Sequence, residues 1–256
     1  MSLRLKFVAF LIAAAAVSFS STAHAQKWGG LTAKFVIDGT APKPEKIQPS
    51  KDQEVCGKHD LFNEEVVAGK NGELANVVIY LRTKKPAIHP NYNNAANNKV
   101  ALDNKNCRFE PHIQVYWTKQ KFEVTNSDPV PHNSNFSPFL NPAQNPIIPA
   151  NGKQDITAFT QEEGTPIPVG CNIHPWMKAY MLIRNDPYAG VSDENGALAL
   201  KDLPADTELE FQVWHEKGGN VKNVSFKGGK TDAKGRFKMK LKSGSNDLGT
   251  IKVKLK

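Results

Sequence analysis

Beyond residue 25, the apolar residues of this chain do not recur at the three-and-four spacing of an amphipathic helix. They fall in short runs, often alternating, that are cut by Gly, Pro, Asn and Asp. Seventeen prolines and eighteen glycines suit turns between strands far better than helix interiors. The runs predict strands at Leu31–Asp38, Glu65–Ala68, Val77–Leu81, His112–Trp117, Lys121–Asn126, Asp155–Phe159, Ile167–Val169, Tyr180–Arg184 and Glu208–Trp214. Short strands at such intervals mean an antiparallel sandwich or barrel, so the fold class is all-β. Trp117 to Lys121 reads as a hairpin tip, and the Asn195-Gly196 turn reads as a second one, since Asn-Gly accepts positive φ angles. Two segments, Pro86–Asn106 and Pro138–Pro149, read as long loops, which are functional or mobile in compact domains. Composition shifts at Asn185-Asp186-Pro187. The expected division is therefore a first sandwich over residues 26–185 and a smaller, lysine-rich β module over 186–256.

The first 25 residues read as an export signal: basic Arg4 and Lys6, an apolar run Phe7–Val17, then Ala23-His24-Ala25 as a cleavage site after Ala25. That run falls short of the ~20 residues needed to cross a bilayer, and no later run is longer, so no spanning segment is expected. The expected location is secreted, with the periplasm as destination. Two of the +8 formal charges leave with the signal. The rest are concentrated at the C-terminal end, where Lys217 to Lys256 holds eleven Lys and one Arg against Asp232 and Asp247. Basic tails often bind nucleic acid, but an exported protein rarely meets any. Here Phe237, Met239 and Leu241 alternate with lysines, as do Ile251, Val253 and Leu255. Lysines on the outer face of half-buried strands account for that pattern. A docking surface for an acidic partner or an anionic membrane is the other reading.

Three cysteines are too few for a disulfide scaffold, and the odd one needs a reason in an oxidising compartment. Cys56 and Cys107 are expected to pair as a disulfide that ties the N-terminal segment to the strand before His132. They could instead hold a second metal with His59 and His112, although Phe62 stands where a methionine would repeat the pattern described next. Cys171-Asn172-Ile173-His174-Pro175-Trp176-Met177 places thiolate, imidazole and thioether donors at three-residue steps after an apolar strand. A second imidazole, His132, follows another apolar strand in Asn126-Ser127-Asp128-Pro129-Val130-Pro131-His132-Asn133. Two His, one Cys and a weak axial Met are the donor set of a blue-copper electron-transfer centre. The rival is a nucleophilic Cys171–His174 pair, which shows no orienting acid in the sequence. Trp214-His215-Glu216 offers a His–Glu pair whose ordinary role is structural.

These motifs, together with Phe109-Glu110-Pro111, resemble the type 1 copper cupredoxins, with amicyanin and plastocyanin-like members nearest. The resemblance implies a cupredoxin-like Greek-key β-sandwich holding one copper through His132, Cys171, His174 and Met177. Asn133 would tie the two ligand loops together beside it. It further implies that His174 reaches the surface as the electron's exit, inside an apolar rim formed by Pro175, Trp176, Phe136, Pro138 and Phe139. The expected function is single-electron transport between redox proteins, a dehydrogenase and a c-type cytochrome among the candidates, with no catalysis of its own. A periplasmic copper carrier or store would use the same ligands. In the C-terminal part, Asp193-Glu194-Asn195-Gly196 followed by Leu203-Pro204-Ala205-Asp206-Thr207 resembles the prealbumin-like, carboxypeptidase regulatory-like β modules, which implies an accessory role.

Overall fold

A computed structural model describes residues 26–255. The expected export signal lies outside the described residues, as does Lys256. Among the described residues no helix is long and apolar enough to cross a membrane. The chain is all-β. It builds four principal sheets, which three apolar cores stack one upon another.

The outermost sheet of the first sandwich is ordered Lys153–Ile156, Lys121–Asn126, Lys99–Lys105, Arg108–Glu110. It packs Leu102, Phe109, Phe122 and Val124 against a second sheet, ordered Ile113–Trp117, Lys178–Arg184, Ile167–Gly170, Asn135–Phe136. The opposite face of this second sheet presents Ile113, Tyr180 and Leu182 to Val78, Tyr80 and Trp214 of a third. That third sheet runs Ala189–Val191, Val78–Leu81, Glu208–His215, Gly219–Asn220, and Arg236–Lys240 also pairs with Glu208–His215, on the same side as Gly219–Asn220. Its far face meets the fourth sheet, in which Trp28–Ile37 lies between Ala197–Pro204 and Gly244–Val253. Period two explains the stacking. In Val78–Leu81, Ile79 and Leu81 enter one core while Val78 and Tyr80 enter another, so all four are buried. Arg184 crosses the middle layer with 1% exposure, its guanidinium held by Asp186, Glu162 and the Leu81 carbonyl. Burial pushes the Asp186 carboxyl up to about 6 despite that guanidinium.

The expected division at residue 185 is not where the sheets divide. The N-terminal strand Trp28–Ile37 pairs with two C-terminal strands, and Val78–Leu81 pairs with Glu208–His215. The first sandwich is thus residues 99–184 wrapped by a second one built from both ends of the chain. The two expected hairpins also change meaning. Trp117 and Lys121 flank a tight turn, but their strands join different sheets. The Asn195-Gly196 turn likewise sends Ala189–Val191 and Ala197–Pro204 to different sheets. Gly196 has φ +71°, and a Cβ there would lie 2.2 Å from the Phe35 carbonyl oxygen, so the corner requires glycine. Of the long loop predicted over Pro86–Asn106, the last third is the strand Lys99–Lys105 at the centre of its sheet. Predicted strand Glu65–Ala68 is no strand, with only a bridge from Ala68 to Leu74. The lysine-alternating segments do lie in strands, with Phe237, Ile251 and Val253 buried.

His215 and Glu216 do not act together. Glu216 hydrogen-bonds to His112 across the two sandwiches, whereas His215 is 1% exposed and accepts a hydrogen bond from the Lys217 N–H. Burial drives the His215 imidazole down to about 4. The unfolded chain takes up a proton near its ordinary 6.5 that the folded chain refuses. Stability from this residue is therefore intact above pH 6.5 and lost as pH falls toward 4, by about 3 kcal/mol. His215→Asn keeps an acceptor for Lys217 and removes the titration. Urea unfolding across this range is expected to give the variant a shallower acid slope than the parent, and parallel slopes would exclude the effect.

Candidate metal centre

The seven-residue segment from Cys171 to Met177 connects Ile167–Gly170 to the adjacent antiparallel strand Lys178–Arg184. Its ends are pinned by the Cys171 N–H to the Met177 carbonyl at 3.2 Å, and the Met177 N–H returns to the His174 carbonyl at 2.9 Å. The His174 N–H points at Cys171 Sγ, 3.3 Å away. Such a loop has little freedom to open, because each bond closes a short ring. Opposite it, the two-residue strand His132–Asn133 pairs with Ile147–Ile148. Asn133 Oδ1 accepts from the N–H groups of Asn172 (2.8 Å) and Ile173 (3.1 Å) and lies 3.4 Å from Cys171 Sγ. Its amide nitrogen donates to Asn145. Asn133 therefore joins both loops at the sulfur.

This brings together ligand atoms of His132, Cys171 and His174, all within 4.8 Å of one another and all buried. The imidazole centroids are 4.5 Å apart. Met177 is 2% exposed and belongs to the same core as Cys171. His132 Nε2 contacts Asp128 Oδ2 at 2.9 Å, while its Nδ1 is buried without a hydrogen-bond partner. His174 turns Nδ1 toward Cys171 Sγ (3.8 Å) and Nε2 toward Asp52 Oδ2 (2.7 Å). Burial works against a thiolate at Cys171, but the His132 and His174 imidazoles beside the sulfur and the His174 N–H prevail, bringing it down to about 6. Burial likewise opposes the imidazolium at His132, yet Asp128 and Cys171 raise its pKa. Asp128 is lowered against its own burial by His132 and by the N–H groups of Cys107 and Asn106. The geometry thus favours anionic sulfur at neutral pH, the form that binds metal.

Two expectations fail here. His174 is not at the surface: it is 0% exposed, roofed by Asp52 and edged by Trp176 at 5.1 Å. The resemblance did not carry the N-terminal segment that supplies this roof. Phe136 is no rim residue either. It is fully buried between Phe122 and Phe159, because alternation in its strand turns it inward. Of the other residues expected there, Pro175 is exposed, Trp176 and Pro138 are half-buried, and Phe139 is 71% exposed. The Cys56–Cys107 disulfide expected from the sequence is present, which excludes the alternative of a second metal at those cysteines. Cys107, Asp128 and His132 also cluster, but the Cys107 sulfur is already bonded.

Asp52 and Asp128 were missed as site residues. Asp128 stood in plain view four residues before His132. Asp52 lies 122 residues from His174, and no local pattern marks it. Together they supply the orienting acids whose absence weakened the nucleophile reading. In that reading the nucleophilic sulfur would be only 4% exposed.

No protein-family model and no curated protein matches the sequence. Among solved structures, a point-mutant amicyanin in its Cu(I) form overlaps 41% of this chain and 98% of its own, at 14% identity and a TM-score of 0.30. A purple cupredoxin from Nitrosopumilus maritimus overlaps 34% of this chain and 100% of its own, at 19% identity and a TM-score of 0.28. A copper-containing nitrite reductase from Thermus scotoductus SA-01 overlaps 41% of this chain and 25% of its own, at 17% identity and a TM-score of 0.30.

Proposed function

We propose that this protein is an exported cupredoxin that carries single electrons through one type 1 copper held by His132, Cys171, His174 and Met177. The observation that carries the reading is the bare Nδ1 of His132, buried beside the Cys171 sulfur with no partner. A buried polar atom left unpaired costs about 1–3 kcal/mol, and a metal ion held with Cys171 and His174 removes that cost. The donor chemistry selects the metal: a thiolate, two imidazoles and a thioether in a dry pocket suit copper, where carboxylates and water would suit magnesium or calcium. Bound copper supplies a one-electron Cu(II)/Cu(I) couple.

The residues around it resist rearrangement. Asn133 locks the loop backbone, and the aromatic core beneath Cys171 and Met177 excludes water. Little reorganisation between oxidation states is what rapid electron transfer needs. The same burial argues against a copper carrier, which must release its ion readily. Electrons would leave beside Pro175 and Trp176 rather than through an open imidazole edge. An apolar area of that modest size suits the small, short-lived interfaces of redox proteins, such as a dehydrogenase donor or a c-type cytochrome acceptor. The second sandwich is read as a prealbumin-like accessory module, and the location as periplasmic.

The deciding experiment is an optical and EPR spectrum of the mature protein loaded with Cu(II) and then reduced. An intense blue band with narrow copper hyperfine splitting, bleached by reductant and restored by oxidant, is expected. A pale spectrum with ordinary tetragonal parameters would favour the carrier.

A further inference from the structure

Both ligand imidazoles are held from outside by a carboxylate, and both carboxylates are attached to the same disulfide. On the His174 side, Asp52 adopts the left-handed region (φ 45°, ψ 45°) at the start of the short helix Gln53–Cys56. Its carbonyl accepts the Cys56 N–H at 2.8 Å. On the His132 side, Asp128 accepts the N–H groups of Asn106 (2.7 Å) and Cys107 (2.8 Å). Cys56 and Cys107 are joined, 51 residues apart in sequence. Leu61, Ile47, Val55 and Trp176 pack around the bridge, and the Trp176 indole N–H donates to the Cys107 carbonyl at 3.1 Å. A left-handed conformation is uncommon for a residue other than glycine, and Asp is among the few side chains that adopt it. At Asp52 it places the carboxylate against His174 Nε2.

We propose that the Cys56–Cys107 disulfide is the clamp of the metal centre, acting through Asp52 and Asp128 as positioning residues for His174 and His132. The inference rests on the copper reading for its metal but not for its mechanics. Without the bridge, the segment carrying Asp52 keeps its small apolar patch, the Glu64–Arg108 ion pair and backbone bonds that lie within the segment itself. His174 Nε2 is then open to water and the ring is free to turn. With the bridge intact, the two carboxylates set which nitrogen of each ring faces Cys171 and hold the ring in that orientation. Outer partners of this kind change metal affinity tenfold to a hundredfold when removed.

The test compares the parent with Asp52→Ala, Asp52→Asn, the double variant Cys56→Ser/Cys107→Ser, and that double variant combined with Asp52→Ala. In the metal-free proteins, iodoacetamide labelling of Cys171 at fixed pH reads the closure directly. Labelling is expected to be at least about tenfold faster in Asp52→Ala and in the double variant. Cu(II) affinity by competition is expected to fall about tenfold to a hundredfold in both. Asp52→Asn, which retains an acceptor, should recover most of the affinity. Its reduction potential should rise, because a neutral amide makes the imidazole a poorer donor to Cu(II). Adding Asp52→Ala to the double variant should cost less than a further twofold. Parental labelling and affinity in Asp52→Ala and the double variant would overturn the clamp, and so would fully additive losses in the combined variant. If the parent itself gives no blue spectrum, the copper reading fails, and the labelling rates still decide the clamp. Asp52→Asn adds no volume and leaves the core untouched, so its potential and affinity remain informative should the disulfide variant fold poorly.

Discussion

Cys171→Ala is expected to abolish the intense visible band of the copper-loaded protein outright, not to weaken it. The band requires a thiolate bound to the metal, and Cys171 is the one free cysteine among the described residues. The two imidazoles would remain, held by Asp52 and Asp128, so some copper would still bind, with the tetragonal EPR parameters of nitrogen and oxygen ligation. The fold should survive. Removing one buried sulfur and the acceptor it offers the His174 N–H costs about 1–2 kcal/mol. A variant that stays blue would end the metal assignment. One that unfolds would show that the sulfur is a core atom first.

Phe136→Ala is expected to destabilise the protein by about 3–5 kcal/mol in urea titration, the cost of a large cavity in a close-packed core. The ring is 0% exposed and meets Phe122 and Phe159 edge-on at 5.9 Å and 5.2 Å. A residue of the docking rim would behave oppositely, leaving stability within about 0.5 kcal/mol and slowing reaction with the redox partner. Phe139, at 71% exposure, should show that second pattern. If Phe136→Ala were as stable as the parent, the aromatic cluster beneath the site would not carry the weight its burial implies.

The strands were legible where alternation was strong. Lys121–Asn126 appears with the residues read from the sequence, and Ile167–Gly170 and Lys178–Arg184 extend their predicted ranges by one or two residues. Lys99–Lys105 was lost among asparagines because only Val100 and Leu102 face the core. Its Asn104 is buried by a hydrogen bond to the Thr125 carbonyl rather than by hydrophobicity. Phe136 was misplaced for the converse reason. A phenylalanine near a proline-rich loop looks like surface ornament until the direction of its strand is known.

Donor chemistry and spacing were enough to nominate Cys171, His174, Met177 and His132, and the structure brings the ligand atoms of His132, Cys171 and His174 within 4.8 Å of one another. A turn signal such as Asn195-Gly196 was enough to say that the chain reverses. Neither says which sheet a strand enters, since pairing is decided by burial on both faces at once. Trp28–Ile37 therefore joins strands from the opposite end of the chain. Nor does either reveal Asp52, which reaches His174 only because a disulfide and a four-residue helix carry it there. What a side chain is follows from the covalent chain, but what stands next to it across a hundred residues depends on the packed whole.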